Sequence, residues 1–264
     1  MEFLRYTTIG SGTVVPDASR GPAAHHFASG DLSLLFDLGS GTLRRLAALG
    51  TPFGALDMVA VTHRHQDHFA DLLPLIFALR HTPGIDRARP LGLVGYPGLE
   101  EDLEALAAIF GEWVLEPGFP LDVWEAEDTP VELEREAVSA TVEARPVEHS
   151  PEAVGFRLAL NAAGREVLVA YTGDTALCPE AVALAGEADL LIAECSVADE
   201  DAVPGHMTPV DVGRLAAEAS VRHLVATHFY PSVLRLGEAE IERRIRRHYD
   251  GPLDLAVDGL EIEL

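Results

Sequence analysis

Residues 58–68 read MVAVTHRHQDH, a short apolar run followed at once by a dense group of metal-binding side chains. The apolar half predicts a buried strand. Side chains two residues apart in an extended segment point the same way, so His63 and His65 are expected to face one point. Asp67 and His68 come where a helix should begin and can face a second point. The stretch therefore predicts two pairs of metal ligands on one loop, with a chemistry that suits Zn(II), or alternatively Mn(II) or Fe(II).

Three more residues of ligand type stand farther along the chain, each shortly after an apolar run: His149, Asp174 and His228. Loops at strand ends are where folds gather binding and catalytic residues. A single histidine in such a place is more often structural. These three, however, supply what the first loop lacks, since four ligands cannot complete two metal sites. The sequence therefore predicts a centre that holds two metal ions.

The apolar patterning alternates between strand-like and helix-like segments along the chain. Short runs rich in Val, Leu and Ile predict the strands Phe3–Ile9, Leu32–Asp37, Met58–Thr62, Leu91–Val94, Val138–Ala144, Val154–Leu160, Val167–Tyr171, Leu190–Ala193 and Leu224–Thr227. Longer runs predict the helices His68–Arg80, Leu99–Phe110, Pro209–Ala219 and Glu238–Tyr249, the first of them kinked at Pro74. No long linker interrupts the pattern, so we expect one domain over residues 1–264 with layered α/β packing.

The composition is ordinary for a globular protein except in its charge. Hydrophobic residues make up 48% and charged residues 23%, the formal net charge is −24, and all 19 basic residues are arginine. A broad cationic surface for nucleic acid is hard to build from this composition. The arginine-rich run 243–247 is expected to be a solvated helix face paired with nearby glutamates.

Two cysteines, Cys178 and Cys195, are too few for a disulfide framework. The first residues show no secretory signal pattern, and no apolar stretch reaches the ~20 residues that a membrane helix needs. We therefore expect a cytoplasmic protein without a membrane partner. The sequence leaves open a homodimer.

Taken together, these residues resemble the metallo-β-lactamase superfamily, and the resemblance extends over almost the whole chain. Several further segments are similar to its ribonuclease Z branch: Gly10–Gly12, Phe36–Thr42, Asp71–Pro74, Arg89–Gly95, Ala188–Cys195 and Gly205–Pro209. The resemblance implies an α/β fold, a four-layer αβ/βα sandwich of two mixed sheets flanked by helices. It also implies two divalent metal ions at one edge, between the sheets.

The resemblance assigns each ligand to an ion. The ligands of one metal would be His63, His65 and His149. Those of the other would be Asp67, His68 and His228, with Asp174 bridging the two ions.

The resemblance also pairs Glu194 with His206. His206 would be a general acid oriented by Glu194, because a histidine with a pKa near neutrality suits proton transfer. The alternative is a structural residue just before the helix that begins near Thr208. Asp67 would add a catalytic role to metal binding by orienting the nucleophile.

One feature departs from the ribonuclease Z pattern. That branch carries a long transfer-RNA-binding arm between the positions of His149 and Asp174, whereas here only 24 residues separate them and predict one hairpin. Transfer RNA is therefore not the expected partner. We expect a phosphodiesterase that cleaves small-molecule phosphodiesters with a hydroxide bridging the two metals.

Other functions compete with this hypothesis. A ribonuclease Z-type RNA 3′-processing endonuclease and a lactone or aryl ester (sulfate) hydrolase would use the same metals. A di-iron redox protein of this superfamily would have a glutamate at His65 and a flavin domain, and a non-catalytic scaffold would have lost ligands. Neither description fits this chain.

Two minor features also carry expectations. His25 and His26 are expected to be an exposed loop pair, with contact to substrate as the alternative. Glycines 10, 12, 39 and 41 match no phosphate-binding fingerprint and are expected to let turns adopt positive φ.

Overall fold

The computed structural model describes residues 4–264 and shows two mixed sheets flanked by helices. The strands of this part are β1 (Arg5–Gly10), β2 (Ala24–Ser29), β3 (Leu32–Phe36), β4 (Met58–Val61), β5 (Leu91–Gly95), β6 (Leu121–Glu125), β7 (Val131–Glu134), β8 (Val138–Pro146), β9 (Val154–Ala162), β10 (Arg165–Tyr171), β11 (Leu190–Glu194), β12 (Leu224–Thr227), β13 (Leu253–Leu255) and β14 (Glu261–Glu263). Its α-helices are α1 (Thr42–Leu49), α2 (Gln66–Phe69), α3 (Leu72–His81), α4 (Leu99–Phe110), α5 (Pro179–Ala185), α6 (Pro209–Glu218), α7 (Pro231–Leu234) and α8 (Glu238–Ile245).

Each sheet has seven strands, in the orders β14-β1-β2-β3-β4-β5-β6 and β13-β12-β11-β10-β9-β8-β7. In the first sheet β3 to β6 are parallel, and in the second β10 to β13 are parallel. The remaining neighbours are antiparallel. With helices outside both sheets, the architecture is the four-layer αβ/βα sandwich that the resemblance implied.

Aromatic side chains join the inner faces of the two sheets. Phe36 of β3 packs against Phe27 at 4.8 Å and against Phe156 of β9, in the other sheet, at 5.5 Å between ring centroids. All three side chains are buried, and a buried aromatic ring removes a large apolar area from water. The loops that leave strands of both sheets at one edge of this core carry the ligand-type residues.

The predicted strands are confirmed within a few residues, although Phe3 lies outside the described residues. Five strands were missed: β2, β6, β7, β13 and β14. β2 contains two adjacent histidines and little aliphatic patterning, and β13 and β14 have three residues each. Such segments are stabilised as strands by their neighbours in the sheet and not by local preference.

The prediction of one kinked helix over His68–Arg80 is wrong. The chain forms α2, breaks at Ala70 and Asp71, and begins α3 at Leu72. Pro74 therefore lies in the first turn of α3, where its missing N–H removes no helical hydrogen bond.

The predicted start of α6 is confirmed. The Thr208 hydroxyl accepts a hydrogen bond from the Asp211 backbone N–H, the Asp211 side chain accepts one from the Thr208 N–H, and Pro209 opens the first turn.

Two further expectations are corrected. Only Gly41 of the four glycines has positive φ, at 91°, whereas a Cβ on Gly10 or Gly39 would overlap the carbonyl oxygens of Pro22 and Asp67. These two glycines are required for close backbone approach. In the 243–247 run, Arg243 and Arg246 pair with Glu240 and Glu242 as expected, but Arg244 is buried, because Asp199, Glu200 and Glu240 surround its guanidinium. Within residues 4–264, no helix is long and apolar enough to cross a membrane.

Candidate metal centre

The ligand-type side chains come from both sheets and meet at one edge. His63 and His65 follow β4, and Asp67 and His68 lie in the short helix α2 directly after them. From the other sheet, the loops after β8, β10 and β12 carry His149, Asp174 and His228. Because strand ends of both sheets meet here, residues up to 165 positions apart in the sequence lie within one small volume.

Three histidines form the first cluster. The Nε2 atom of His63 lies 3.0 Å from Nδ1 of His65, and the Nε2 atom of His149 lies 3.2 Å from the same Nδ1. His63 is buried and His65 is exposed, so the cluster is closed on the protein side and open to solvent on the other.

The second cluster is formed by Asp67, His68 and His228, all of them buried. The Nε2 atoms of the two histidines are 3.2 Å apart, and Oδ2 of Asp67 lies 3.4 Å from Nε2 of His228. His228 has φ of 59°, in the left-handed region, which costs a non-glycine residue energy and is often found at functional sites.

Asp174 stands between the two clusters. Its Oδ2 lies 3.9 Å from Nε2 of both His63 and His149. Its Oδ1 lies 3.3 Å from Nε2 of His68 and 3.4 Å from Nδ1 of His228. This carboxylate therefore presents one oxygen to each cluster.

The donor set fits two cations. The Oδ1 atom of Asp174 is buried and has no hydrogen-bond partner among the described residues. Ring nitrogens of His63, His65 and His149 converge on one another, and nitrogen lone pairs that face each other are satisfied by a cation between them. A buried set of imidazoles and carboxylates is the ligand chemistry of Zn(II) and related divalent ions.

The carboxylates of the site also favour the presence of a positive charge beside them. Burial lowers the pKa of His68, but the carboxylates of Asp174 and Asp37 outweigh it and raise that pKa well above the usual value. Burial raises the pKa of Asp174, but the histidines around it, His228 and His68 first, hold it well below its usual value. His63 behaves as a neutral imidazole, since burial and the nearby His68 lower its pKa to about 2.

Four of the five histidines are held from behind by an oxygen. The Nδ1 atoms of His63, His68, His149 and His228 lie 2.6–3.0 Å from Thr62 Oγ1, Asp37 Oδ2, Gly205 O and Ser196 Oγ, respectively. Such partners fix the ring orientation and the tautomer of a metal-binding histidine.

Asp37 is the partner with the most contacts, and sequence reasoning assigned it no role. It accepts hydrogen bonds from the Thr62 backbone N–H at 2.8 Å, the Thr62 hydroxyl at 2.9 Å and the Tyr171 hydroxyl at 2.6 Å, besides its contact with His68. Its φ of 56° is strained for a non-glycine residue. A buried aspartate at the end of β3, one strand from the ligand loop, was the available signal.

The pair predicted beside the ligands is formed. Oε1 of Glu194 lies 2.9 Å from Nδ1 of His206 and also accepts from the Thr175 backbone N–H at 2.8 Å. Burial lowers the pKa of His206, but the hydrogen bond and the charge of Glu194 outweigh it and raise the pKa to about 9. The His206 ring lies 4.9 Å from that of His149 and 6.4 Å from that of His228, which places it against both clusters.

A loop near the start of the chain reaches the second cluster. The Val14 backbone N–H donates to Oδ2 of Asp67 at 2.8 Å. The two ends of this loop are tied by Asp258, whose buried carboxylate accepts hydrogen bonds from Ser11 and Gly21 and forms an ion pair with Arg45. The loop over residues 12–20, which we call the pinned loop, is thus fixed at its neck, and its Val14 amide orients Asp67.

The expectation for His25 and His26 is wrong. Both are buried in β2. Nδ1 of His25 lies 3.0 Å from the Tyr6 hydroxyl, and Nε2 of His26 lies 2.9 Å from the Ser33 hydroxyl. Neither belongs to a candidate metal group, and the buried Nε2 of His25 has no hydrogen-bond partner in the described structure. Arg64, in contrast, is paired with Asp102 and Glu152 and points away from His63 and His65, because consecutive side chains in an extended segment alternate in direction.

Comparison with known proteins places this arrangement in context. The family model described as "Beta-lactamase superfamily domain" matches residues 34–229, which include the seven ligand-type residues and the pair Glu194–His206. A ribonuclease Z of Mycobacterium marinum is 28% identical over 283 residues, covering 99% of both chains.

Two solved structures share the fold over nearly the whole chain. The metallo-β-lactamase fold protein YhfI from Bacillus subtilis superposes with a TM-score of 0.78 at 26% identity, covering 100% of both chains. The short form of human tRNase Z superposes with a TM-score of 0.72 at 23% identity, covering 98% of both chains.

Proposed function

Because this chain belongs to the beta-lactamase superfamily, we propose that it is a metal-dependent phosphodiesterase that acts on small phosphodiesters. The observation that carries the proposal is the arrangement of Asp174 between two ligand clusters, with the Glu194–His206 pair directly beside them. We assign His63, His65 and His149 to one divalent ion, Asp67, His68 and His228 to the other, and Asp174 to both. Zn(II) suits these ligands, with Mn(II) or Fe(II) as alternatives.

Two divalent ions held there would supply a nucleophile from water at neutral pH and positive charge for the phosphoryl oxygens. The protein orients the side chains that would hold these ions. Asp67 is held by the amide of Val14, and His68 by Asp37, so the second cluster is fixed before a substrate arrives. A site fixed in advance spends no energy on rearrangement during the reaction.

His206 is proposed as the general acid. Its Nδ1–H donates to Glu194, which leaves Nε2 free to give a proton to the departing oxygen. A pKa of about 9 keeps the ring protonated at neutral pH, as an acid requires. Glu194 fixes the tautomer and does not itself transfer the proton.

The size of the substrate is inferred from the segment between His149 and Asp174. It is occupied by β9 and β10, paired from Phe156 with Tyr171 to Ala162 with Arg165 and joined by the turn Ala163–Gly164. The predicted hairpin is thus confirmed and no arm extends from it. Together with the net charge of −24, this favours a small substrate over a polyanion such as transfer RNA.

A second candidate is an RNA 3′-processing endonuclease, favoured by the 28% identity with ribonuclease Z along the full chain. Hydrolysis of a lactone or an aryl sulfate on the same metals is a further alternative, but the Glu194–His206 pair supports ester bonds whose leaving oxygen needs a proton.

The deciding experiment compares substrates on one enzyme preparation of known metal content. We expect turnover of bis(4-nitrophenyl) phosphate and of cyclic phosphodiesters, and slow cleavage of precursor transfer RNA at physiological salt. The Asp174→Ala variant serves as the control for contaminating activity. Efficient, specific 3′ trimming of precursor transfer RNA would replace the proposal with the ribonuclease function, and preference for lactones or sulfates would reject both.

The role of His206 is tested by its dependence on the leaving group. We expect His206→Ala to keep both metals and to lower kcat by about 10²–10⁴-fold for alkyl esters, with a smaller loss for 4-nitrophenolate, which departs without a proton. Glu194→Gln should show the same pattern more weakly. An equal loss for good and poor leaving groups would instead assign His206 to substrate binding.

A further inference from the structure

A pocket of about 780 Å³ lies between α5, α6 and the loop that precedes α6. We call it the α5–α6 pocket. Its volume is within the range of about 300–1,000 Å³ typical of sites for small ligands. It lies outside both ligand clusters, but His206 forms part of its wall.

His206 links the wall of this pocket to the reacting centre. Ala176 and Leu177 in its wall follow Asp174 by two and three residues. Pro204 in its wall precedes Gly205, whose carbonyl oxygen holds His149 at 2.9 Å. Because His206 lines the α5–α6 pocket, a group bonded to an oxygen at His206 can extend into it.

The chemistry of the wall selects the occupant. Leu177, Val182 and Val203 supply apolar surface. Both cationic groups of the wall already have a carboxylate partner, since Arg214 faces Glu218 at 3.6 Å and His206 lies 2.9 Å from Glu194. The carboxylate of Asp211, engaged with Thr208, adds a further negative charge, so the pocket disfavours a second phosphate or any other anionic group.

We propose that the α5–α6 pocket is the leaving-group subsite and takes a small, uncharged, apolar or aromatic alcohol. The proposal rests on the proposed phosphodiesterase function. Water adds to phosphorus, and the P–O bond to this alcohol breaks with its electron pair on oxygen. Nε2 of His206 gives that oxygen a proton, and the proton lost by the water restores His206. The products are a phosphomonoester and the free alcohol.

Val203 is the best position for a test, because its side chain is 47% exposed and belongs to no ligand cluster. The substrates are two methyl aryl phosphates, one releasing 4-nitrophenol and one releasing 4-hydroxy-3-nitrobenzoate, which carries an additional carboxylate. We expect the wild type to prefer the neutral leaving group by about 10-fold or more in kcat/KM, the factor that 1.4 kcal/mol of unfavourable charge placement gives. Val203→Arg should reduce or reverse the preference, and Val203→Glu should increase it.

The matched control is Ile109→Arg, which adds the same charge at a 73% exposed apolar residue of α4 and should leave the preference unchanged. A second control places the carboxylate on the retained group, where the Val203 variants should have no effect. If Val203→Arg responds to charge on the retained group, or to neither charge, the leaving-group assignment is overturned.

Failure of the proposed phosphodiesterase function gives a different result from failure of the leaving-group assignment. If the wild type hydrolyses no phosphodiester, the phosphodiesterase proposal fails, and the pocket is then judged by direct titration of phenol and 4-hydroxybenzoate, whose hydroxyl groups stay protonated at neutral pH. Binding of the neutral alcohol that weakens in Val203→Arg but not in Ile109→Arg supports the pocket. Equal binding of both compounds, or of neither, rejects it.

Discussion

Two pairs of nearby histidines in this chain differ in where they lie relative to a strand end. His25 and His26 lie inside β2, between two neighbouring strands, where consecutive side chains point to opposite faces. His63 and His65 lie just beyond the end of β4, two residues apart, and their ring nitrogens approach to 3.0 Å. The side chains of the first pair therefore lie on opposite faces of the sheet, whereas those of the second pair lie next to each other beyond the strand end.

The difference indicates that position relative to a strand end distinguishes core histidines from those we propose as metal ligands. His25 and His26 each contact a single hydroxyl, and burial lowers their pKa values to about 3 and about 4. Each is therefore a neutral core residue. The ring nitrogens of His63, His65 and His149 instead lie close to one another. A histidine that only accepts or donates one hydrogen bond to a hydroxyl does not need such an arrangement.

The largest effect that separates the pairs should be seen in metal content. His63→Ala removes a ligand, so bound metal and activity should fall together by more than about 100-fold, since even partners behind the ligands contribute about 10–100-fold. Elemental analysis of the purified variant, alongside kcat/KM, measures this. His25→Ala is the matched control and should retain close to two ions per chain. A His63→Ala protein that keeps both ions and full activity would falsify the ligand assignment.

The support behind the ligands gives the next largest effect. Asp37→Asn keeps the size of the side chain but replaces an acceptor oxygen by an NH₂ group beside His68 and Tyr171. Asparagine tolerates the φ of 56°, so the backbone should stay. We expect metal affinity to fall by about 10–100-fold in a competition titration with a chelator. Unchanged affinity would show that Asp37 only stabilises the fold.

Substitution in the buried pair His25 and His26 should instead lower the free energy of unfolding. His25→Ala leaves a cavity beside Tyr6 and Tyr171, whose ring centroids lie 5.9 and 4.7 Å from that of His25. Removing a buried ring of this size should cost about 2–4 kcal/mol of unfolding free energy. Urea denaturation of the wild type and the variant, with equal m-values, measures the loss. A loss of bound metal in this variant would mean that the two pairs are coupled.

The smallest expected effect is on the pH dependence of the free energy of unfolding. His26 has a pKa of about 4 in the folded protein because it is buried, against about 6.5 when unfolded. The unfolded chain therefore binds the proton first as the pH falls, and this histidine lowers the stability by about 2 kcal/mol between pH 7 and pH 5. His26→Gln should remove that part of the pH dependence, as unfolding free energies at both pH values would show. An identical pH dependence in both proteins would place His26 in contact with water.

The sequence predicted which side chains meet at this edge because their residue types are rare and stand at strand ends. His63, His65, Asp67 and His68 fall within six residues, and the structure brings His149, Asp174 and His228 to the same edge. The fold class followed from the same residues through their family resemblance.

Contacts between residues that are far apart in the sequence could not be predicted in this way. The Val14 amide that orients Asp67 is a backbone group and has no sequence signature. Asp258 lies 247 residues from Ser11, and nothing near it indicates its role. His25 and His26 were misplaced because only the neighbours β1 and β3 show that β2 is a strand.

The pinned loop also has a consequence for biosynthesis. Ser11 and Gly21, at its neck, are translated early, but their carboxylate partner Asp258 emerges only after every ligand-type residue has been made. A nascent chain that stops short of residue 258 thus has all seven ligand-type side chains without the tie at the neck of the loop that carries Val14. The pinned loop can therefore be closed at its neck only after residue 258 has been synthesised.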